Sequence, residues 1–277
     1  MAVSAPRSVS STASQSGSAS LPLAGRHAVV TGASRGIGAA IAAELVRLGA
    51  DVTLIARRPD PLAALTRSLS GGPARVRDIA ADVTDEAATS RALADAASAL
   101  GAPAILINNA GGAESSPFAR TDPALWRRMI DLNLTSAYLC TRAAAPAMIA
   151  AGWGRIINVA STAGLKGYSY VSAYVAAKHG VVGLTRALAV ELARTGVTVN
   201  AVCPGYTDTP MLGAAIATIA AKTKRSSDEA RASLAASNPM GRLIAPEEVA
   251  AAVGYLCLPS AGSITGQTVT IDGGETA

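Results

Sequence analysis

Short runs of β-branched and aliphatic residues recur along the chain from His27 onward, each followed by a longer stretch with helical spacing. The runs are HAVVTG at 27–32, DVTLIA at 51–56, ARVRDIA at 74–80, AILINNA at 104–110, RIINVAS at 155–161, VTVNAV at 197–202 and QTVTID at 267–272. They read as strands, and the Ala/Leu/Arg/Glu-rich stretches between them as helices. That alternation predicts βαβ units and a mostly parallel sheet with helices on both faces. Right-handed crossovers then gather the C-terminal ends of the strands on one edge, where such sheets bind ligands. The rhythm breaks once. Residues 208–245 hold two helical runs with no strand between, which predicts a lid or substrate-pocket insertion at about 205–243. The amino end lacks the pattern altogether. Its first twenty residues hold eight serines, one arginine and no acid, so residues 1–24 read as a disordered Ser-rich extension and 25–277 as one domain.

Half of the 277 residues are hydrophobic and 16% are charged, too apolar a balance for a disordered chain. No run reaches the ~18–20 uninterrupted apolar residues of a spanning helix, so no membrane association is expected. Aromatic residues make up only 3%, and the helices must pack closely through small side chains. Cys140, Cys203 and Cys257 are odd in number and far apart. They argue against a disulfide framework, read as small buried hydrophobes, and fit a reducing, cytoplasmic setting. With two histidines, His27 and His179, no familiar metal-ligand spacing arises, and no metal is expected. The net charge of +5 is modest, and the basic residues, all but four of them arginine, are scattered. A nucleic-acid partner is therefore disfavoured, while an acidic cofactor or substrate stays open.

The first strand ends in Thr31-Gly32-Ala33-Ser34-Arg35-Gly36-Ile37-Gly38, and a helix follows. Glycines allow the sharp turn and the close approach of backbone to a pyrophosphate, and the helix N-terminus offers free N–H groups to it. After strand two, an acidic residue would hold the ribose hydroxyls of NAD. This chain has Arg57-Arg58 there instead. Arg57, with Arg35 from the glycine turn, can grip the 2′-phosphate of NADP through forked, charge-assisted bonds. NADP(H) is thus the expected cofactor, with NAD(H) possible.

Tyr174-Val-Ala-Ala-Lys178 opens a long helix running to about Ala193. The i, i+4 spacing sets both side chains on one face. A nearby ammonium is expected to lower the tyrosine's pKa and ready Tyr174 as general acid/base on a carbonyl or alcohol oxygen. Ser161 closes strand five on the ligand edge, where its hydroxyl can hold the same oxygen.

With these residues in view, residues 24–277 resemble the short-chain dehydrogenase/reductase family. Four motifs match in order: Thr31-Gly32-x-x-x-Gly36-Ile37-Gly38, Asn108-Asn109-Ala110-Gly111, Tyr174-x-x-x-Lys178 and Pro204-Gly205. The resemblance implies a Rossmann-type doubly wound parallel sheet of about seven strands in a single domain. It implies that Asn133 holds a water linking Lys178 to solvent, that Lys178 also binds the nicotinamide ribose, and that Asp82 and Val83 contact adenine. Asn109, Ala110 and Gly111 would line the cofactor. Pro204, Gly205, Thr207 and Thr209 would hold the nicotinamide and its carboxamide. Dimers or tetramers are the implied assembly. The implied reaction is hydride transfer between nicotinamide and a ketone or secondary alcohol. The similarity of residues 191–211 and 238–256 to ketoreductases favours a 3-oxoacyl/3-hydroxyacyl thioester, linked to CoA or a carrier protein. Leu165, Tyr168, Tyr206, Met211 and Leu212 are the candidate pocket wall, and the run Lys222-Thr223-Lys224-Arg225 can meet CoA phosphates or be a solvated helix face. An NAD-linked catabolic alcohol dehydrogenase and a non-catalytic dinucleotide sensor are the alternatives.

Overall fold

The computed structural model describes residues 21–277. Seven strands form one sheet: β1 (His27–Thr31), β2 (Asp51–Ala56), β3 (Val76–Ala80), β4 (Ile105–Asn108), β5 (Gly154–Val159), β6 (Val197–Pro204) and β7 (Thr268–Ile271). All neighbours are parallel, in the order β3-β2-β1-β4-β5-β6-β7. Each of the seven β-branched runs falls on one strand; β1, β4, β5 and β7 stop short of the end of their runs, while β6 continues two residues further, to Pro204. The register sets Thr31 against Ile55, Asn108 against Asn158, and Pro204 against Ile271, so the strand ends share one edge.

Alternate residues of the strands face opposite layers, as the pleat requires. Val30, Leu54, Ile107 and Ile157 pack beneath α1 (Gly36–Arg47), α2 (Pro59–Leu69) and α9 (Pro246–Cys257), which contribute Ile41, Leu45, Leu62, Val249 and Val253. Val29, Ile55, Leu106 and Ile156 pack beneath α3 (Glu86–Leu100), α5 (Ser136–Ala150) and α6 (Ser172–Leu192), through Leu93, Cys140, Met148 and Leu192. Small residues bring neighbouring helices of one layer close. A β-carbon at Gly254 of α9 would stand 2.9 Å from Glu44 Cγ of α1. Between α3 and α5, α4 (Pro123–Ile130) runs into a π-helical turn, Asp131–Thr135, before α5 begins.

The insertion is present as α7 (Pro210–Thr223) and α8 (Ser227–Ala235). They pack on each other around Leu212, Ile216 and Ala230, a small core apart from the two flanking the sheet. Lys222 lies in the last turn of α7, and Lys224, in left-handed conformation, ends the helix.

The domain boundary moves. Residues 1–20 of the expected extension lie outside the described residues, but its last four do not. Leu23 is fully buried in the core under α1, and its N–H donates to Leu48 O at 2.9 Å. An apolar side chain that fills the end of a core belongs to the domain, whatever the composition before it. Among the described residues, no helix is long and apolar enough to cross a membrane, and no group of three potential ligands is placed to hold a metal.

Candidate active site

The glycine turn is built against the end of β4. Gly32 has φ of 63°, and a β-carbon there would stand 2.8 Å from Ala110 Cα, a contact only glycine escapes. Asn109 Nδ2 donates to Thr31 O at 3.0 Å and Gly32 O at 3.1 Å, while Thr31 Oγ1 accepts from the N–H groups of Asn109 and Ala110, each at 3.0 Å. Gly38 leaves no room either, because Asn109 Nδ2 and Gly32 O occupy the space a β-carbon would need. The N-terminus of α1 carries no side-chain cap and no acid in its first turn, so its N–H groups and positive dipole end face the edge uncompensated. Ser34 and Ile37 are half-buried within the turn, and Ile37 packs on the core.

Arg35 and Arg57 are exposed, as is Arg58, and none of the three has an ion-pair partner among the described residues. Burial pushes the half-buried Asp82 carboxyl up. Thr84, donating from its N–H at 3.0 Å and its hydroxyl at 2.7 Å, together with the charge of Arg57, brings it below the usual carboxylate range. Arg57 and Asp82 thus share one end of the edge, and Val83 is buried behind them. A glycine cradle, an uncapped helix start and unpaired guanidinium groups fit a dinucleotide with phosphate charge to neutralise.

Ser161, Tyr174 and Lys178 come together at the end of β5. Ser161 follows the strand, and its Oγ accepts from Ala163 N–H at 3.1 Å, capping the 3₁₀ turn Thr162–Gly164. Tyr174, in the first turn of α6, has its hydroxyl near enough to the Ser161 side chain for Ser161 to draw its pKa down. One helical turn on, Lys178 is only 4% exposed, with Nζ 5.7 Å from the centre of the Tyr174 ring and donating to Val159 O at 2.8 Å. Asn133 lies inside the π turn. There its Nδ2 donates to Met129 O at 3.0 Å and Gly112 O at 2.9 Å, and its Oδ1 accepts from Gly112 N–H at 3.1 Å. The side chain takes up a helix carbonyl, a common arrangement where a π turn widens a helix at a functional site. Gly111 separates Asn133 from Lys178: its β-carbon would be 2.8 Å from Asn133 Oδ1 and 3.5 Å from Lys178 Nζ.

One electrostatic expectation is overturned. Burial pushes the Tyr174 hydroxyl up, and although the nearby Ser161 side chain pulls the other way, the net shift is upward. Lys178 does not lower it; burial has brought Lys178's own pKa down to about 8. Desolvation is the largest cause of the shift at both groups.

Pro204 and Gly205 stand at the end of β6, on the same edge of the sheet. Thr207 is buried and donates to Gly205 O at 3.0 Å. Thr209 caps α7, accepting from Leu212 N–H at 3.3 Å, and its methyl group would stand 3.1 Å from a β-carbon at Gly36. The expected pocket wall is brought together only in part. Tyr168 and Tyr206 meet edge to face, ring centres 6.4 Å apart. Leu212 sits in the core between α7 and α8, against which Tyr206 also packs, whereas Leu165 packs with Ala160, Val181 and Cys203, and Met211 is exposed. His179 is exposed, its ring bonded to Val175 O. Sequence reading missed Glu275 and Lys166, which reach Tyr168 from the C-terminal segment and from the loop before α6. The only signal was the Asp272-Gly-Gly turn after β7.

Comparison with known proteins bears on this arrangement. The family model described as short chain dehydrogenase matches residues 26–220. A ketoacyl reductase assigned to the granaticin polyketide synthase of Streptomyces violaceoruber is 43% identical over 89% of this chain and 92% of its own. A cis-4-hydroxycyclohexanecarboxylate dehydrogenase of Sinomonas cyclohexanicum is 42% identical over 91% of this chain and 97% of its own. Among solved structures, a point variant of the actinorhodin polyketide ketoreductase with NADPH superposes with a TM-score of 0.87 at 37% identity, covering 90% of this chain and 97% of that one.

Proposed function

The chain belongs to the short chain dehydrogenase family, whose members are NAD(P)-dependent oxidoreductases acting on CH–OH groups, and from that premise we propose that it is an NADPH-dependent ketoreductase of 3-oxoacyl thioesters and related ketones. The observation that carries the reading is the meeting of Ser161, Tyr174 and Lys178 beside the glycine turn. Arg35 and Arg57 would grip the 2′-phosphate, and the backbone of Gly32, Gly36 and Gly38 would lie along the pyrophosphate. Asp82 and Val83 would face adenine, and Asn109, Ala110 and Gly111 the middle of the cofactor. Lys178 would hold the nicotinamide ribose, with Pro204, Gly205, Thr207 and Thr209 on the carboxamide side. When bound, the nicotinamide supplies the hydride.

The protein's part is to hold and move the proton. Ser161 Oγ donates a hydrogen bond to the ketone oxygen, and Tyr174 Oη delivers the proton to it. A tyrosine kept protonated by burial suits this direction, because reduction begins with a proton to give. Lys178, largely charged at neutral pH, resupplies Tyr174, and Asn133 holds the outward end of the relay. The two facing tyrosines, Tyr168 and Tyr206, offer flat apolar surface to the rest of the substrate. The dehydrogenase relative favours a second reading, oxidation of a cyclic secondary alcohol by the same groups. Tyr174 must then lose its proton first, so that rate would climb with pH well above neutrality.

Steady-state reduction of acetoacetyl-CoA and of a cyclic ketone, with NADPH and NADH compared, tests both readings. Expected are turnover with NADPH preferred, a loss of that preference of about tenfold or more in Arg57→Ala, and a fall in kcat of about 10²–10⁴ in Tyr174→Phe with NADPH affinity retained. Equal turnover by wild type and Tyr174→Phe would sink the catalytic assignment. A wild-type preference for NADH would sink the phosphate site.

A further inference from the structure

The C-terminal residues fold back toward the reaction edge. Asp272, immediately after β7, holds them: its carboxylate accepts from Gly274 N–H at 3.0 Å, Thr276 N–H at 2.9 Å and the Thr276 hydroxyl at 2.6 Å. Gly273 and Gly274, at φ of 65° and 91°, make the turn these bonds enclose. Glu275 is thereby aimed inward, and its side chain is only 2% exposed. Its Oε1 accepts the Tyr168 hydroxyl at 2.6 Å and lies 3.1 Å from Lys166 Nζ. Thr162 Oγ1 stands 2.7 Å from the same Tyr168 hydroxyl. A phenol has one proton, and the acceptor-only carboxylate takes it, so Thr162 is the donor to Tyr168.

Thr162 is the first residue of the turn that Ser161 caps. On its other side the turn rests on α6, where a β-carbon at Gly164 would stand 2.8 Å from Lys178 O. The turn carrying Ser161 is therefore held between the helix of Tyr174 and a chain of hydrogen bonds that ends at Glu275. The second oxygen of that carboxylate, Oε2, is buried and has no partner among the described residues. A buried carboxylate with half its acceptors unused is a poor device for stability alone, since well-packed apolar side chains would serve at least as well.

We propose that Glu275 is a positioning residue for the reduction, setting Ser161 against the ketone oxygen through Tyr168 and Thr162. This rests on the assignment of Ser161 and Tyr174 above. Lys166, whose side chain is 40% exposed, balances the charge and contributes little to the positioning.

The variants Glu275→Ala, Glu275→Gln, Tyr168→Phe and the Glu275→Ala/Tyr168→Phe pair test it in the full chain. The readouts are kcat, KM, the NADPH dissociation constant, and hydrogen–deuterium exchange of the peptide over residues 160–168. Glu275→Ala should cut kcat about tenfold or more, with KM and NADPH affinity within about twofold of wild type. It should also speed exchange at the Ala163 and Gly164 amides. Tyr168→Phe should do the same, and the pair no worse. Glu275→Gln should recover most of the lost kcat and the slow exchange, because the amide oxygen still accepts from Tyr168. Wild-type exchange and kcat in Glu275→Ala would overturn the proposal, as would a Gln variant as slow as Ala, or losses that add in the pair. If wild type reduces no ketone, the functional reading fails while the exchange data still decide whether the turn hangs on Glu275.

Discussion

Lys178 carries an ammonium where water hardly reaches, and that placement has a sign. Burial brings its pKa from 10.5 to about 8, a folding penalty of about 3 kcal/mol at 1.36 kcal/mol per pKa unit. Below pH 8 the group is charged in folded and unfolded chains alike, and the penalty is complete. Between pH 8 and 10.5 the unfolded chain binds the extra proton, so stability gained from this group rises with pH until the penalty is gone. Lys178→Met should therefore melt above wild type at pH 7, with the gap in Tm closing toward pH 10 and activity lost throughout. A gap that stays constant across that range would mean the ammonium is not desolvated. The i, i+4 spacing of Tyr174 and Lys178 was readable from sequence because helix geometry fixes it. The direction of the tyrosine's shift was not, since spacing says who is near and nothing about how dry the neighbourhood is.

At the scale of the element, the 3₁₀ turn Thr162–Gly164 shows how packing between backbones sets the place of the Ser161 side chain that caps it. Gly164→Ala would drive a methyl group against Lys178 O, which is helix backbone and cannot rotate away. The turn must lift, so Gly164→Ala should lower both Tm and kcat, with the dissociation constant for NADPH unchanged. A variant with wild-type kcat would show that the turn has slack. The strands were legible because a strand buried on both faces needs a run of β-branched residues that little else in this chain resembles. The π turn around Asn133 was not, because DLNLT reads as ordinary helix and the widening depends on Asn133 reaching Met129 O. Leu165 misled for a related reason: its apolar character says that it is covered, and only the fold says by what.

Across the whole molecule, the three cysteines report on global opening. Cys140, Cys203 and Cys257 are buried, and burial pushes their thiols up to about 12, 11 and 12 respectively. Two flank the sheet on opposite faces and the third lies beneath Ser161. A thiol reagent at pH 8 should label none of them in the native protein and all three after denaturation, with a rate set by unfolding. Fast labelling of a single thiol would expose a local opening, at Cys203 one beneath the reaction edge. The domain's start was misplaced at whole-molecule scale too, because Leu23 joins a core whose other members begin with Ala28. Glu275 escaped notice for the same reason, bonding a residue 107 positions away.

The lid's separate core, around Leu212, Ile216 and Ala230, has a consequence for how such proteins diversify. A segment whose apolar contacts are mostly its own can be exchanged between relatives as a cassette, provided Tyr206 and Leu243, which pack against that core from its two ends, go with it. Transplanting α7 and α8 from a relative with another substrate would leave Ser161, Tyr174 and Lys178 on their own scaffold. New substrate ranges can then arise by recombination at the lid's two ends, without the chemistry having to be invented again.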